Sequence, residues 1–229
     1  MSVENPEQPS TPDALTIAAL EKEKQELLSR IERLENENTE LKEVALKDPL
    51  TKVLNRRGLE TAAKLLLSQR NEIKNGEEIS RKPVAVLMLD IDDFKAVNDV
   101  YGHDEGDRIL REAAKFLEDR VRPGDIVARF GGEEFAIVFY NADEQDIFNS
   151  FYDKDNKKSR VGFETELGGI EDHRVTMSGG VTMFEPKENA DNLNDALTRA
   201  DTALYASKNS PGKDRLTIYT DTLQKKPIS

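Results

Sequence analysis

Cysteine is absent from all 229 residues, which excludes disulfides and thiolate metal sites. Positive charge is not in excess either. With 33 basic residues against 45 acidic ones the net charge is −12, so no nucleic-acid polymer is expected as a general partner, while a small anion with its own metal remains open. Long apolar runs are also missing. The longest, Val84 to Leu89, is far too short to cross a bilayer, and the opening Met1-Ser2-Val3-Glu4-Asn5-Pro6 has neither the basic nor the apolar region of a signal peptide. No membrane association and a cytoplasmic location are therefore expected. What is present, 37% hydrophobic residues in a chain of this length, supports one globular domain with an extension.

The extension is legible as periodicity. Residues 1–12 are rich in Pro, Glu, Ser and Thr and are expected to be a disordered tail. Thr11-Pro12-Asp13 then reads as a helix start, with an N-cap, a proline at the first helical position and an acid in the first turn. Leu20, Leu27, Leu34 and Leu41 recur every seven residues as d positions, with Ile17, Lys24, Ile31, Asn38 and Ala45 at a. β-Branched a residues with Leu at d favour two parallel strands, and polar Lys24 and Asn38 at a would fix the register. The g-to-e′ pairs Arg30 with Glu35 and Glu37 with Lys42 are attractive, while Glu23 with Leu28 is neutral. Residues 13–47 are thus expected to form a parallel dimeric coiled coil of about four heptads.

The heptads stop at Asp48-Pro49, because proline disfavours helix at the residue before it. Beyond it, a helix capped by Asn55 is expected from about Arg56 to Lys74, closed by Asn75-Gly76, and a buried strand from Val84 to Ile91. A helix over Asp104–Val121, a hairpin around residues 126–139, a short helix near Glu144–Tyr152, strands near Gly162–Leu167 and Val175–Met183, and a helix near Asn192–Lys208 follow. Strands alternating with helices make this part α/β or α+β.

Two features carry chemistry. In Arg129-Phe130-Gly131-Gly132-Glu133-Glu134-Phe135 two glycines abut two carboxylates between apolar strands, which suits a tight hairpin open to a bulky ligand. Asp90-Ile91-Asp92-Asp93 ends a strand, where carboxylates leave the core. Together with Glu133 or Glu134 they could hold Mg²⁺, a hard cation that takes one or two protein carboxylates and otherwise water and phosphate oxygen.

Five ordered motifs give the chain a family resemblance. Asp48-Pro49-Leu50-Thr51 with Asn55-Arg56-Arg57, Leu89-Asp90-Ile91-Asp92-Asp93-Phe94-Lys95, Asn98-Asp99-Val100-Tyr101-Gly102-His103-Asp104-Glu105-Gly106-Asp107, the Gly-Gly-Glu-Glu run, and Ala200-Asp201-Thr202-Ala203-Leu204-Tyr205-Ala206-Ser207-Lys208 resemble the motifs of the GGDEF family of bacterial diguanylate cyclases. The resemblance implies an α+β sandwich, a central and mostly antiparallel sheet flanked by helices, similar to nucleotidyl cyclases and polymerase palms. It places the catalytic domain at 48–219 and a C-terminal tail at 220–229. The implied activity condenses two GTP into cyclic di-GMP and two pyrophosphates.

By the same resemblance Asp90, the Ile91 carbonyl and Glu133 would ligate two Mg²⁺ ions per active site, with Mn²⁺ an alternative, and Glu133 or Glu134 would assist deprotonation of the 3′-hydroxyl. Lys95, after Phe94, would offset phosphate charge. Asn98 and Asp107 would read guanine, His103 would join the nucleotide site, Gly131 and Gly132 would admit the nucleotide, and Lys208 would bind phosphate. Arg122-Pro123-Gly124-Asp125 matches the family's Arg-x-x-Asp inhibitory site, so Arg122 and Asp125 would bind product. Two departures stand out. The segment after Lys208 is one residue longer than usual, with Lys213 in the customary Arg place, and residues 141–175 carry a shortened helix and Gly168-Gly169. The expected partners are GTP, cyclic di-GMP and a second copy of the chain. A non-catalytic cyclic-di-GMP receptor signalling through its coiled coil is the alternative reading.

Overall fold

A computed structural model describes residues 14–70, 83–153, 158–159, 161–167, 170–184 and 193–223. The expectations for the tail at 1–12, the Thr11-Pro12-Asp13 cap, the Asn75-Gly76 stop, Gly168-Gly169 and residues 224–229 lie outside the described residues. The chain divides into two units, Met1–Val44 and Ala45–Ser229. The described residues of the first are helical, part of α1, Ala14–Leu46. Its heptad residues Ile17, Leu20, Leu27, Ile31, Leu34 and Leu41 are all exposed, between 46% and 62%. Among the described residues no helix is long and apolar enough to cross a membrane.

The second unit is built on a seven-stranded sheet ordered β1-β3-β4-β2-β8-β7, with β9 also paired to β8. In chain order its elements are β1 (Leu54–Asn55), α2 (Arg56–Arg70), β2 (Val84–Ile91), α3 (Phe94–Tyr101), α4 (His103–Glu118), β3 (Ile126–Gly131) and β4 (Glu134–Phe139). Then come α5 (Glu144–Ser150), the two-residue strands β5 (Tyr152–Asp153) and β6 (Lys158–Ser159), β7 (Val161–Leu167), β8 (Ile170–Phe184), α6 (Leu193–Lys208) and β9 (Leu216–Ile218). Among the described residues only the β1–β3 and β8–β9 strand pairs are parallel, so the sheet is mostly antiparallel and the fold is α+β with helices on both faces. β5 and β6 form their own small antiparallel pair.

Strand β2 is central because it is apolar on both faces. Leu87, Leu89 and Ile91 enter the core shared with α3, α4 and α5, and Val84, Val86 and Met88 enter the one shared with α2 and α6. Each fully buried leucine is worth about 1.5–3 kcal/mol over its exposed state. The alternation leaves Asp90 on the α6 side.

Several boundaries depart from the sequence expectation. Helix α4 ends at Glu118 rather than Val121, and β8 starts at Ile170, earlier than the Val175 expected. The stretch containing Asn98 is helical as α3, and His103 opens α4 one residue before the Asp104 expected, the two helices meeting at Gly102 with φ 87°. Helix α3 has only eight residues and is rich in β-branched and Asx residues, so local propensity is weak and packing against α4 sustains it.

Candidate active site

The hairpin turn is held from below. Arg129 donates from Nε to the Gly132 carbonyl at 2.9 Å and from Nη1 to both Asp48 oxygens at 3.1 and 3.3 Å. Asp48 in turn accepts from the Thr51 backbone N–H and hydroxyl, both at 2.8 Å. Gly132 adopts φ 51°, a left-handed conformation that disfavours a Cβ, and this lets two residues close the turn before Glu134 begins β4. Asn55 caps α2 through Oδ1 to the Gly58 N–H, while its Nδ2 donates to the carbonyls of Ala45 and Lys47.

Burial raises the Asp48 pKa, but the Thr51 donors and the Arg129 guanidinium outweigh it and hold the carboxyl below its usual range. The stability this pair adds is therefore complete above the ordinary aspartate pKa and drains away as pH falls through the lowered folded value. Asp48→Asn is expected to cost about 1–2 kcal/mol near neutrality, roughly 3–6 °C in Tm. Thermal melts across pH should show that gap closing below about pH 4; a gap constant down to about pH 3 would contradict the linkage.

Five acidic residues and two lysines meet at the end of β2. Asp90 pairs in register with Glu134, and the Ile91 N–H donates to the Glu133 carbonyl at 3.3 Å, which sets the Gly-Gly-Glu-Glu turn beside the strand end. The Lys208 ammonium, from the last turn of α6, donates to Asp90 Oδ1 at 2.5 Å, Asp92 Oδ1 at 3.0 Å and the Ile91 carbonyl at 3.3 Å. Asp92 also accepts from Thr176 Oγ1 and Ser178 Oγ, each at 2.8 Å, and from the Asp214 N–H at 3.1 Å. Lys213 Nζ donates to Asp93 at 2.7 Å. Arg215 instead folds back on the carbonyls of Pro211 and Lys213.

The electrostatics of the two strand-end acids diverge. Asp92 is pushed up by burial, but hydrogen bonds from Lys208, Thr176 and Ser178 and the ammonium charge hold it low and ionised. Asp90 stands above the usual range: burial is the main cause, Lys208 only partly opposes it, and Glu133 and Asp92 add repulsion. This excess of negative charge suits a cation. Among the described residues no three acidic or histidine side chains form a ready-made metal cluster. The Asp90 carboxylate and Ile91 carbonyl nevertheless already converge on a cationic ammonium, a hard-oxygen set that fits Mg²⁺ or Mn²⁺ completed by phosphate and water.

The remaining predicted residues on this side of the chain lie on α3 and α4, which follow β2. Phe94, the first residue of α3, is buried in the core, with Lys95 exposed beside it. Asn98 is half-buried against Gly106 of α4, and Asp107 follows, also half-buried; His103 is exposed. A Cβ at Gly106 would overlap Asn98 Oδ1. On the expectation that Asn98 reads guanine, Gly106→Ala should dislodge that amide and raise the KM for GTP about tenfold with a smaller change in kcat, read from initial rates; an unchanged KM would sever Gly106 from the site.

Arg122 and Asp125 lie apart from this group, on the turn entering β3. Asp125 accepts from the Arg122 N–H at 2.9 Å and the Tyr140 N–H at 3.0 Å. The turn borders a cleft of about 480 Å³ lined also by Lys47, Lys52 and Val121. Sequence reasoning missed Asp92 as a buried hub, the Arg129–Asp48 pair and the role of Gly106. The available signals were polar Thr176 and Ser178 breaking an apolar strand, and a glycine inside a helix.

The profile described as "Diguanylate cyclase, GGDEF domain" matches residues 45–214. Diguanylate cyclase DosC of Escherichia coli K12 is 35% identical over 178 residues, which cover 77% of this chain and 35% of that protein. This chain thus spans about a third of the length of that curated relative. A crystal structure of the coiled coil and GGDEF domain of DgcB from Caulobacter crescentus in complex with c-di-GMP superposes with a TM-score of 0.69 at 26% identity, covering 87% of this chain and 99% of that one. The active GGEEF domain of a diguanylate cyclase from Vibrio cholerae gives a TM-score of 0.57 at 27% identity, over 73% and 98%. With the turn, the strand-end acids and the α6 lysine in one place, and with a match across most of its length, the chain belongs to the GGDEF family of diguanylate cyclase domains.

Proposed function

We propose that this protein is a diguanylate cyclase that condenses two GTP molecules into cyclic di-GMP and two pyrophosphates. The observation that carries the reading is the cradle at the end of β2, where the Asp90 carboxylate and Ile91 carbonyl converge on a cation beside Glu133. Bound there, Mg²⁺ would neutralise triphosphate charge and acidify the attacking 3′-hydroxyl. Asp107 accepts from the guanine N1 and amino hydrogens, and Asn98 pairs with the remaining edge. Lys95, Lys208 and Lys213 take phosphate oxygens, which requires the two latter lysines to leave Asp90, Asp92 and Asp93. Glu133 or Glu134 accepts the hydroxyl proton, and open Gly131 and Gly132 let the nucleotide approach the backbone.

A ring closed from two nucleotides needs two such sites face to face. The exposed leucine face of α1 supports a parallel coiled-coil dimer as the device that brings them together. Arg122 and Asp125 bind the product and inhibit, consistent with the cyclic dinucleotide bound to a related GGDEF structure. A GTP-fed reaction places the enzyme in the cytoplasm. Incubating the chain with GTP and Mg²⁺ and chromatographing the products tests the activity. Cyclic di-GMP with release of pyrophosphate is expected; nucleotide binding without any product would leave a receptor instead.

A further inference from the structure

The Arg122 guanidinium already has an anionic partner. Its Nη2 lies 3.0 Å from Asp146 Oδ1, across the gap between the β3 entry turn and α5. Asp146 is not a loose surface acid. Its Oδ2 accepts from the Asp143 N–H at 3.0 Å while its own N–H donates to Asp143 Oδ1 at 2.9 Å, a capping box that fixes the side chain and leaves Oδ1 aimed at Arg122. The unequal exposure of the pair, 55% for Arg122 and 21% for Asp146, makes the arginine the mobile member and the acid the anchored one.

We propose that Asp146 is an internal competitor for Arg122 that sets how tightly the cyclic dinucleotide binds at this turn. The inference rests on the reading of Arg122 and Asp125 as the product site. Asp125 is held by two backbone N–H groups and needs no rearrangement to meet a guanine edge. Arg122 does have to change partners. A phosphate diester approaching its fork must displace the carboxylate or share the guanidinium with it, and the carboxylate repels the dianionic ligand throughout. Side-chain entropy does not weaken the competitor, since the capping box has already ordered it. Inhibition by product is thereby set to a higher concentration than the Arg-x-x-Asp turn alone would give.

The experiment is isothermal titration of cyclic di-GMP into the nucleotide-free full chain, in four forms: wild type, Asp146→Asn, Arg122→Ala and the double variant. Asn keeps an oxygen to accept from the Asp143 N–H, and Asp146→Ser is a second variant should Asn disturb α5. Removing the charge should tighten binding about three- to tenfold, with the gain shrinking at high salt. Arg122→Ala should weaken binding at least about tenfold and abolish the effect of the Asp146 substitution. Unchanged or weaker binding in Asp146→Asn and Asp146→Ser, with Arg122→Ala still impaired, overturns the competitor alone; weaker binding would mean that Asp146 aims Arg122 for the ligand. An equal gain in the Arg122→Ala background reduces Asp146 to a general negative charge and also overturns it. Wild-type affinity in Arg122→Ala removes the product site itself, and the proposal with it.

Discussion

Glu133→Ala is expected to lower the rate of cyclic di-GMP formation roughly a thousandfold while leaving the fold standing. The residue sits in the turn between β3 and β4, half-buried and outside both hydrophobic cores. The hydrogen bond it accepts from the Ile91 N–H ends on its backbone carbonyl and survives truncation. A melting shift of no more than about 2 °C should follow. The catalytic loss is large because two separate contributions vanish: an oxygen donor for the cation beside Asp90, and a candidate acceptor for the hydroxyl proton. Removing the charge also relieves the repulsion on Asp90, so Asp90 should ionise more readily in the variant. The defect is therefore not a secondary loss of the Asp90 charge. Timed product chromatography with wild type and Glu133→Ala decides the point, and equal yields would end the cyclase reading. Glu134→Ala in the same assay separates the acids. Glu134 opens β4 opposite Asp90 in the ladder, so a loss confined to Glu133 would assign both metal and proton to the turn residue.

Long, strongly patterned elements were legible in the sequence, and short ones were not. The 33-residue α1 announced itself by its leucine spacing, and β2 by an apolar run with buried residues on both faces. Strands β1 and β9, of two and three residues, are too short to display a period and exist because neighbouring strands β3 and β8 offer free edges. Among site residues, Asp90, Glu133 and Lys208 meet at the end of β2. The contacts that tie them together cross the fold: Arg129 reaches Asp48 over 81 residues, and Asp92 meets Ser178 over 86. No local pattern encodes such bonds, because the pairing of strands selects the partner: the register of β2 on β8 sets Asp90 opposite Ser178 and so brings Ser178 near Asp92. Lys213 shows the same limit. Sequence position put it in the customary arginine place, whereas its left-handed backbone, φ 34°, and its bond to Asp93 arise in the folded loop.

Replacing both Leu27 and Leu34 with Lys is expected to convert the proposed coiled-coil dimer into a monomer and to cut specific activity about a thousandfold at micromolar enzyme. The substitutions lie in the Met1–Val44 unit, and every candidate site residue lies in Ala45–Ser229, so GTP affinity per chain should not change. What changes is encounter. A tethered partner site sits at an effective concentration on the order of 1 mM, against about 1 µM for a free one, which yields the thousandfold ratio directly. Each leucine forfeits about 1.5–3 kcal/mol of burial, and like charges at facing d positions add repulsion. The loss should also change the kinetic order. Wild-type rate per mole of enzyme should be flat with dilution above the dimer dissociation constant, whereas the variant's should rise in proportion to enzyme concentration. Sedimentation together with a dilution series of initial rates reads both quantities. Fusing residues 45–229 to an unrelated parallel zipper should restore activity if proximity is the zipper's whole contribution, and only in some helical phases if orientation matters as well. A monomer fully active at every dilution would show that one copy closes the ring alone, and would leave the exposed leucine face of α1 without a part in catalysis.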